Sequence, residues 1–124
     1  MNRLTHKNCR LEYGTTRFVF LVDKFAIKIP SIKEWRLFLL GLLANMQEAQ
    51  WSKIGWVELC PVLFSIPGGF LIVMHRARIL NNEEFLLLDI EQWIEESGHN
   101  IPVEMKADSF GYLGRKLVAV DYGN

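Results

Sequence analysis

The stretch from Lys33 to Ile54 constrains the fold more than any other part of the sequence. Its apolar residues recur at helical spacing on two sides. One row of this predicted helix is apolar or small except for a single carboxylate: Leu37, Gly41, Ala44, Glu48 and Trp51. A helix that is apolar on both sides is mostly buried, so we expect it to pack against a sheet. Glu48 then needs a cation or solvent to offset the cost of its burial.

Two β-hairpins are predicted on either side of this helix. Arg17 to Val22 and Phe25 to Ile29 are rich in β-branched and aromatic residues, and Asp23-Lys24 between them favours a tight turn. Leu59 to Ile66 and Phe70 to Met74 predict the second hairpin, across a proline–glycine–glycine turn. With further short strands near both ends of the chain, the pattern indicates an α+β fold with an antiparallel sheet of about five strands.

Capping residues indicate where the helices begin and end. Ser31 is placed to cap the long helix, with Glu34 at the capping-box position, and Gly55 can close it. Asn81 or Asn82 caps a second helix that we expect to continue to Ser97. Beyond it, the pattern predicts a C-terminal β-hairpin with its turn at residues 111–114 and an apolar strand at residues 117–120.

Composition excludes several classes of function. Fourteen Lys and Arg balance fourteen Asp and Glu over 124 residues, so neither general nucleic-acid binding nor attachment to an anionic membrane is expected. Cys9 and Cys60 lie far apart and outside any C-x-x-C motif, which argues against a zinc site. The first residues lack the apolar region of a signal peptide. We expect a single cytoplasmic domain over residues 1–124, with no membrane partner.

A lysine and the helix glutamate form the first candidate site. Lys28 ends an alternating strand, and period two places it on the same face as Ala26. A small residue beside a long cation suits a surface that a flat anionic ligand approaches. Glu48 follows in a K-x19-E spacing, so the sequence predicts that Lys28 and Glu48 form an ion pair.

The C-terminal part of the chain adds two more motifs in a fixed order. Glu104-x-Lys106-x-x-Ser109 is followed by an apolar strand and then by Asp121-Tyr122-Gly123. Together with Ala26-Ile27-Lys28 and Glu48, this layout resembles a protein kinase, whose order is a strand lysine, a helix glutamate, a D-x-K-x-x-N loop and D-F-G. The resemblance covers residues 12–123 and implies a kinase small lobe plus catalytic strip, without the helical large lobe. The chain also resembles short stand-alone proteins of this type that occur in bacteriophages.

The resemblance assigns expected roles to individual residues. Lys28, Glu48 and Gly14 would contact a nucleotide, Glu104 and Lys106 would hold vestigial catalytic positions, and Asp121 and Ser109 would bind magnesium. Several positions depart from the kinase pattern. Gly14 is the only glycine where kinases have a glycine-rich loop, Glu104 replaces the catalytic aspartate, and Ser109 (or Asp108, one residue earlier) replaces the asparagine.

Three functions follow from this reading. The first is a non-catalytic, pseudokinase-like module that binds another protein, and the resemblance extends this function to a phage product that acts on host defence machinery in the host cytoplasm. It needs no cofactor, and Tyr112, Arg115 and Lys116 would bind the partner, beside Phe110 and Tyr122. The second is a small phosphotransferase or nucleotide binder that uses ATP and magnesium. The third is a structural homodimer.

Overall fold

The computed structural model describes residues 9–13 and 16–123. Its secondary structure consists of eight strands, three α-helices and one 3₁₀ turn within those residues. In chain order these are β1 (Cys9–Tyr13), β2 (Arg17–Val22), β3 (Phe25–Pro30), α1 (Trp35–Ile54), β4 (Val62–Ile66), β5 (Leu71–His75), β6 (Arg78–Ile79), α2 (Asn82–Leu87), α3 (Ile90–Ser97), the 3₁₀ turn Ala107–Ser109, β7 (Phe110–Leu113) and β8 (Lys116–Ala119).

The first five strands form one antiparallel sheet in the order β1-β2-β3-β5-β4. The turn between β2 and β3 contains Asp23 at φ 53°, a conformation that aspartate tolerates better than most residues. The β4–β5 turn places Gly68 and Gly69 at φ 90° and 80°. A Cβ on Gly69 would also lie 2.8 Å from the carbonyl carbon of Leu42, so glycine lets α1 approach this hairpin closely. The five-stranded sheet and both hairpins confirm the predicted fold class.

Helix α1 packs on this sheet through its small-residue face. Gly41, Asn45 and Glu48 are its buried residues. A Cβ on Gly41 would lie 2.8 Å from the Cα of Pro30, so the helix touches the end of β3 backbone to backbone. Gly55 ends the helix in the left-handed conformation, as predicted.

Two predictions for α1 are wrong. The helix begins at Trp35, and Glu34 occupies the N-cap position without a side-chain hydrogen bond. Ser31 is buried and accepts a hydrogen bond from the Lys33 amide instead, so it forms no capping box with Glu34. The opposite side of the helix is also exposed rather than buried, as Trp35 at 67% and Leu39 at 51% exposure show. Periodicity identified the faces correctly, but only one of them meets the sheet.

The predicted second helix is divided in two. Asn81, one of the two predicted cap residues, caps α2, and a complete capping box joins it to Glu84. Leu88 then takes an extended conformation, and Asp89 accepts a hydrogen bond from the Gln92 amide to cap α3. A single continuous helix to Ser97 is therefore wrong, because a second N-cap residue lies inside the segment.

The remaining strands form a three-stranded antiparallel sheet in the order β6-β7-β8. The predicted C-terminal hairpin is present, but Gly111 lies within β7 and the turn is at Gly114, at φ 67°. Bridges from Leu59 to Ala119 and from Val103 to Tyr122 connect this hairpin with the preceding segments. One buried cluster contains residues of both sheets: Cys60, Ile72, Met74, Phe110, Val118, Ala119 and Tyr122. No helix of the described residues is long and apolar enough to cross a membrane.

Candidate functional site

The site begins with the predicted pair of Lys28 and Glu48. Strand β3 turns Ala26 and Lys28 toward the helix, because alternate residues of a strand share a face. Lys28 Nζ lies 2.9 Å from Glu48 Oε1, and the two residues are 6% and 0% exposed. The ion pair expected from the K-x19-E spacing is therefore confirmed, and it is buried.

Arg17 is a third member of this cluster, and the sequence reasoning missed it. It is 8% exposed at the start of β2. Its guanidinium donates to both oxygens of Glu48, at 2.8 and 3.1 Å, and to Asp121 Oδ1 at 2.7 Å. A further hydrogen bond of 3.0 Å reaches Asn45 Oδ1. A planar guanidinium that holds one carboxylate with two parallel bonds is strongly oriented.

Backbone groups complete the cluster. Lys28 Nζ donates to the Val120 carbonyl at 2.7 Å, and the Tyr122 amide donates to Glu48 Oε2 at 3.0 Å. Asn45 Nδ2 donates to the carbonyls of Lys28 and Gly69. We call Arg17, Lys28, Glu48 and Asp121 the charged cluster. It joins β2, β3, α1 and the segment after β8 at one point.

The protonation of the charged cluster follows from its burial and its charge balance. Burial alone would raise the pKa of Glu48, but Lys28 and Arg17 lower it from 4.5 to about 2. Burial lowers the pKa of Lys28 and outweighs the opposing effect of Glu48. Burial also raises the pKa of Asp121, which Lys28 and Arg17 oppose. Glu48 is therefore the firmly ionised carboxylate of the cluster.

A cleft of about 820 Å³ lies beside the charged cluster. Its apolar walls include Val19, Leu21, Ala26 and Met74, and its polar end includes Arg17, Lys28 and Asp121. The predicted catalytic residues line the same cleft. Lys106 Nζ lies 3.5 Å from Glu104 and 3.8 Å from Asp108, and all three side chains are about half exposed or more. The fold thus places Lys28, Glu104, Lys106 and Asp121 around one cleft, while Glu48 is buried against Lys28.

The position of Ser109 does not fit its predicted role as a metal ligand. Ser109 is 0% exposed, its Oγ makes no hydrogen bond, and it does not line the cleft. Asp108 lines the cleft instead, in agreement with the alternative alignment by one residue. Gly14, the predicted loop glycine, lies outside the described residues.

Both oxygens of Glu48 and Oδ1 of Asp121 are already engaged and do not fit a divalent metal. Magnesium prefers several oxygen ligands in octahedral geometry. Here both Glu48 oxygens accept hydrogen bonds from the cluster's own donors, and Asp121 Oδ1 accepts one from Arg17. Among residues 9–13 and 16–123, no group of three or more His, Cys, Asp or Glu side chains could hold a metal ion.

The predicted partner-binding residues lie on the β7–β8 hairpin. Arg115 and Lys116 are exposed at its turn, and Tyr112 is half-buried under the Arg78 guanidinium, 5.3 Å from the ring centre. Phe110 and Tyr122 are 0% and 2% exposed, so the expectation that they add aromatic surface to this site is wrong. Tyr122 donates to the Cys60 carbonyl, and both rings close the core.

Comparison with known proteins supports the fold. No family model and no curated protein sequence matches this chain. A choline/ethanolamine kinase family protein from Mesorhizobium loti has a similar structure, with a TM-score of 0.52 and 14% sequence identity. The match covers 93% of this chain and 57% of that chain, so this chain spans less than two thirds of its length. The five-stranded sheet with its packed helix and C-terminal hairpin is therefore a kinase-like α+β fold.

Proposed function

We propose that the chain is a non-catalytic module that binds another protein through a kinase-like scaffold. The observation that supports this most is the apolar outer face of α1, which we define as Trp35, Leu39, Leu43 and Met46. These side chains are between 37% and 67% exposed, although they belong to the longest helix of the described residues.

Their spacing makes the outer face of α1 one continuous stripe. The positions follow one another at intervals of four, four and three residues, so they lie on the same side of the helix. The buried residues Gly41, Asn45 and Glu48 lie on the opposite side. Exposed apolar side chains that form a contiguous patch mark interaction surfaces. Trp35 adds the residue type most enriched at interface hot spots.

The β7–β8 hairpin offers exposed charge on the same chain. Arg115 and Lys116 are exposed there, as an orienting contact requires. In this proposal the outer face of α1 supplies the buried area and the hairpin contributes to encounter rate. A phage origin and a target in host defence, which the kinase-like resemblance implies, belong to the same proposal.

Altered polar groups support the absence of catalysis. Glu104, at the position of the kinase base, is 69% exposed and lies 3.5 Å from Lys106. Glutamate is one methylene longer than the aspartate of kinases, so its carboxylate is displaced from the catalytic position. A displacement of about 1 Å can lower the rate of catalysis about a hundredfold. Asp121, the carboxylate that a phosphotransferase would use for metal, is bonded to Arg17 at 2.7 Å.

A nucleotide binder is the second candidate, and the cleft of about 820 Å³ favours it. Ligand sites of small molecules are commonly apolar clefts of about 300–1,000 Å³ with a few convergent polar groups. ATP would then stabilise the folded chain, because a ligand that binds only the folded state raises the melting temperature.

The test compares which proteins of a bacterial lysate are captured by three purified variants and by the wild type. One carries Trp35→Ala and Leu39→Glu on the outer face of α1, one carries Tyr112→Ala, Arg115→Glu and Lys116→Glu on the hairpin, and the control carries Glu95→Gln on α3. The proposal expects one bacterial protein that the wild type and the control capture and the α1 variant loses, with circular dichroism unchanged.

The hairpin variant separates the two surfaces. Capture that is lost only with the hairpin changes would assign the interface to the β7–β8 hairpin and not to α1. If capture survives both sets of changes, neither surface binds a partner and the proposal is wrong. Sedimentation velocity of the same samples tests the homodimer alternative. A homodimer would show an apparent mass that rises with protein concentration in the wild type and stays at the monomer value in the α1 variant.

A further inference from the structure

Arg17 is a charged side chain that lies buried in the fold. Its guanidinium is enclosed at 8% exposure, and its hydrogen bonds go to two carboxylates and one amide oxygen. An enclosed guanidinium cannot shed its charge, because its pKa lies far above neutral pH. Glu48 raises the pKa of Arg17 further, against the opposite effect of burial. Arg17 is therefore a permanent cation inside the fold.

The position of this cation matters for the cleft. The guanidinium bridges Glu48 on α1 and Asp121 after β8, with N···O distances of 2.8 and 2.7 Å. Asp121 is the predicted metal ligand of the two, and a divalent cation bound to it would need its oxygens. Because Asp121 Oδ1 already accepts a charge-assisted hydrogen bond from Arg17, a metal at that oxygen and the Arg17 guanidinium compete for one place.

Charge balance favours the guanidinium. Arg17 and Lys28 carry two positive charges, and Glu48 and Asp121 carry two negative charges, so the charged cluster is neutral as it stands. A divalent ion added to this group would leave an uncompensated charge beside buried residues, which is costly. A metal could take the place at Asp121 Oδ1 only if Arg17 left, and this departure would break its three hydrogen bonds to carboxylates together with that to Asn45.

We infer that the Arg17 guanidinium replaces the divalent cation of a kinase-like site, so that any ligand of the cleft binds without a divalent metal. This inference is independent of protein binding by α1. It rests on Arg17, Glu48 and Asp121 and not on the outer face of α1, and it holds whether or not the cleft has a ligand. It also makes the charged cluster a permanent connection, because no ion or nucleotide is needed to assemble it.

The experiment measures binding of Mn²⁺, added as MnCl₂ alone, by electron paramagnetic resonance. Arg17→Ala and Arg17→Gln remove the cation, Arg17→Lys keeps it, and Lys53→Ala on the exposed end of α1 is the control for loss of a positive charge. We expect Arg17→Ala or Arg17→Gln to bind Mn²⁺ at least about tenfold more tightly than the wild type, a size typical of changes around metal ligands. Asp121→Asn added to either variant should remove the gain.

Each outcome is decisive. Arg17→Lys and Lys53→Ala should bind Mn²⁺ as weakly as the wild type, since the cluster keeps its cation in both. If the wild type itself binds Mn²⁺ and Asp121→Asn abolishes that binding, the inference is wrong. It is equally wrong if Arg17→Ala and Arg17→Gln, shown to be folded by circular dichroism, gain no Mn²⁺ binding. If both substitutions prevent folding, the wild-type titration still tests the inference. Mn²⁺ binding that Asp121→Asn removes would refute it, and the absence of Mn²⁺ binding would support it.

Discussion

Replacing Glu48 should destabilise the protein more than any other single loss of charge in the charged cluster. Its carboxylate is 0% exposed and accepts four hydrogen bonds, two from Arg17, one from Lys28 and one from the Tyr122 amide. Glu48→Ala removes all four and leaves two buried cations facing Asp121 alone. Glu48→Gln keeps the shape of the side chain. However, all four partners are donors, so the new amide NH₂ must face a donor in either orientation.

Removing one partner of a buried ion pair costs about 3–5 kcal/mol, because it leaves an uncompensated charge in the interior. A domain of this size has a total stability of about 5–15 kcal/mol, so the loss is a large fraction of the whole. We therefore expect Glu48→Ala to lower the free energy of unfolding by about 3–5 kcal/mol. Glu48→Gln should lose at least about 2 kcal/mol, the cost of unsatisfied buried groups.

Urea unfolding followed by tryptophan fluorescence measures both values. Trp51 and Trp56 are half-buried and contact each other in a tilted arrangement with ring centres 5.5 Å apart, so their emission reports on this part of the fold. Glu95→Gln on the exposed side of α3 is the matched control and should change stability by less than about 0.5 kcal/mol. A loss below about 1 kcal/mol for both Glu48 variants would refute the reasoning, because surface ion pairs contribute no more than that.

Three further predictions concern pH, packing and thiol chemistry. Because the pKa of Glu48 falls from 4.5 to about 2 on folding, its contribution is complete above pH 4.5 and is lost as the pH falls toward 2; the melting temperature of the wild type should drop over that range, and that of Glu48→Gln should drop less. Gly41→Ala should cost about 1–3 kcal/mol in urea unfolding, because the new Cβ meets the backbone of Thr16 and Pro30; Gln50→Ala, at an exposed position of α1, is the comparison. Cys60 is fully buried and burial raises the pKa of its thiol to about 11, so peptide mapping should find it unmodified by iodoacetamide at pH 8 in the native state and modified in urea.

The parts of the fold that the sequence predicts well are those with local signals. Asp23-Lys24 sets the first hairpin, Asn81 with Glu84 starts α2, and Gly55 ends α1. Each of these depends on residues within a few positions of one another. The break between α2 and α3 also has a local signal, since Asp89 is a good N-cap residue. The helical pattern on both sides of Asp89 hides this signal.

The exposure of α1 could not be predicted from periodicity. An apolar row shows which residues share a side of a helix, but not how many elements cover that side. Here the sheet covers the face of Gly41, Asn45 and Glu48 and leaves Trp35 and Leu39 outside. The same limit applies to Phe110 and Tyr122, whose burial depends on packing against Cys60 and other distant residues.

The sequence also contains a signal that places Arg17 in the charged cluster. The two-residue turn at Asp23-Lys24 fixes the register of β2 and β3, which pairs Val19 with Lys28 and Arg17 with Pro30. Residues opposite each other in an antiparallel pair point to the same face. Arg17 therefore lies on the same face as Lys28, one diagonal step away, and this follows from the sequence once the turn is recognised.

The charge balance of the cluster also requires a second cation beside Lys28. Without Arg17, the predicted group of Lys28, Glu48 and Asp121 would carry one positive and two negative charges next to buried residues. A net charge in such a place must be compensated, by a bound metal or by another side chain. The β2–β3 register places a guanidinium at that point, and it forms ion pairs of 2.8 and 2.7 Å with the two carboxylates. The residue that the motif comparison passed over is therefore the one that balances the charge of the two carboxylates in this kinase-like fold.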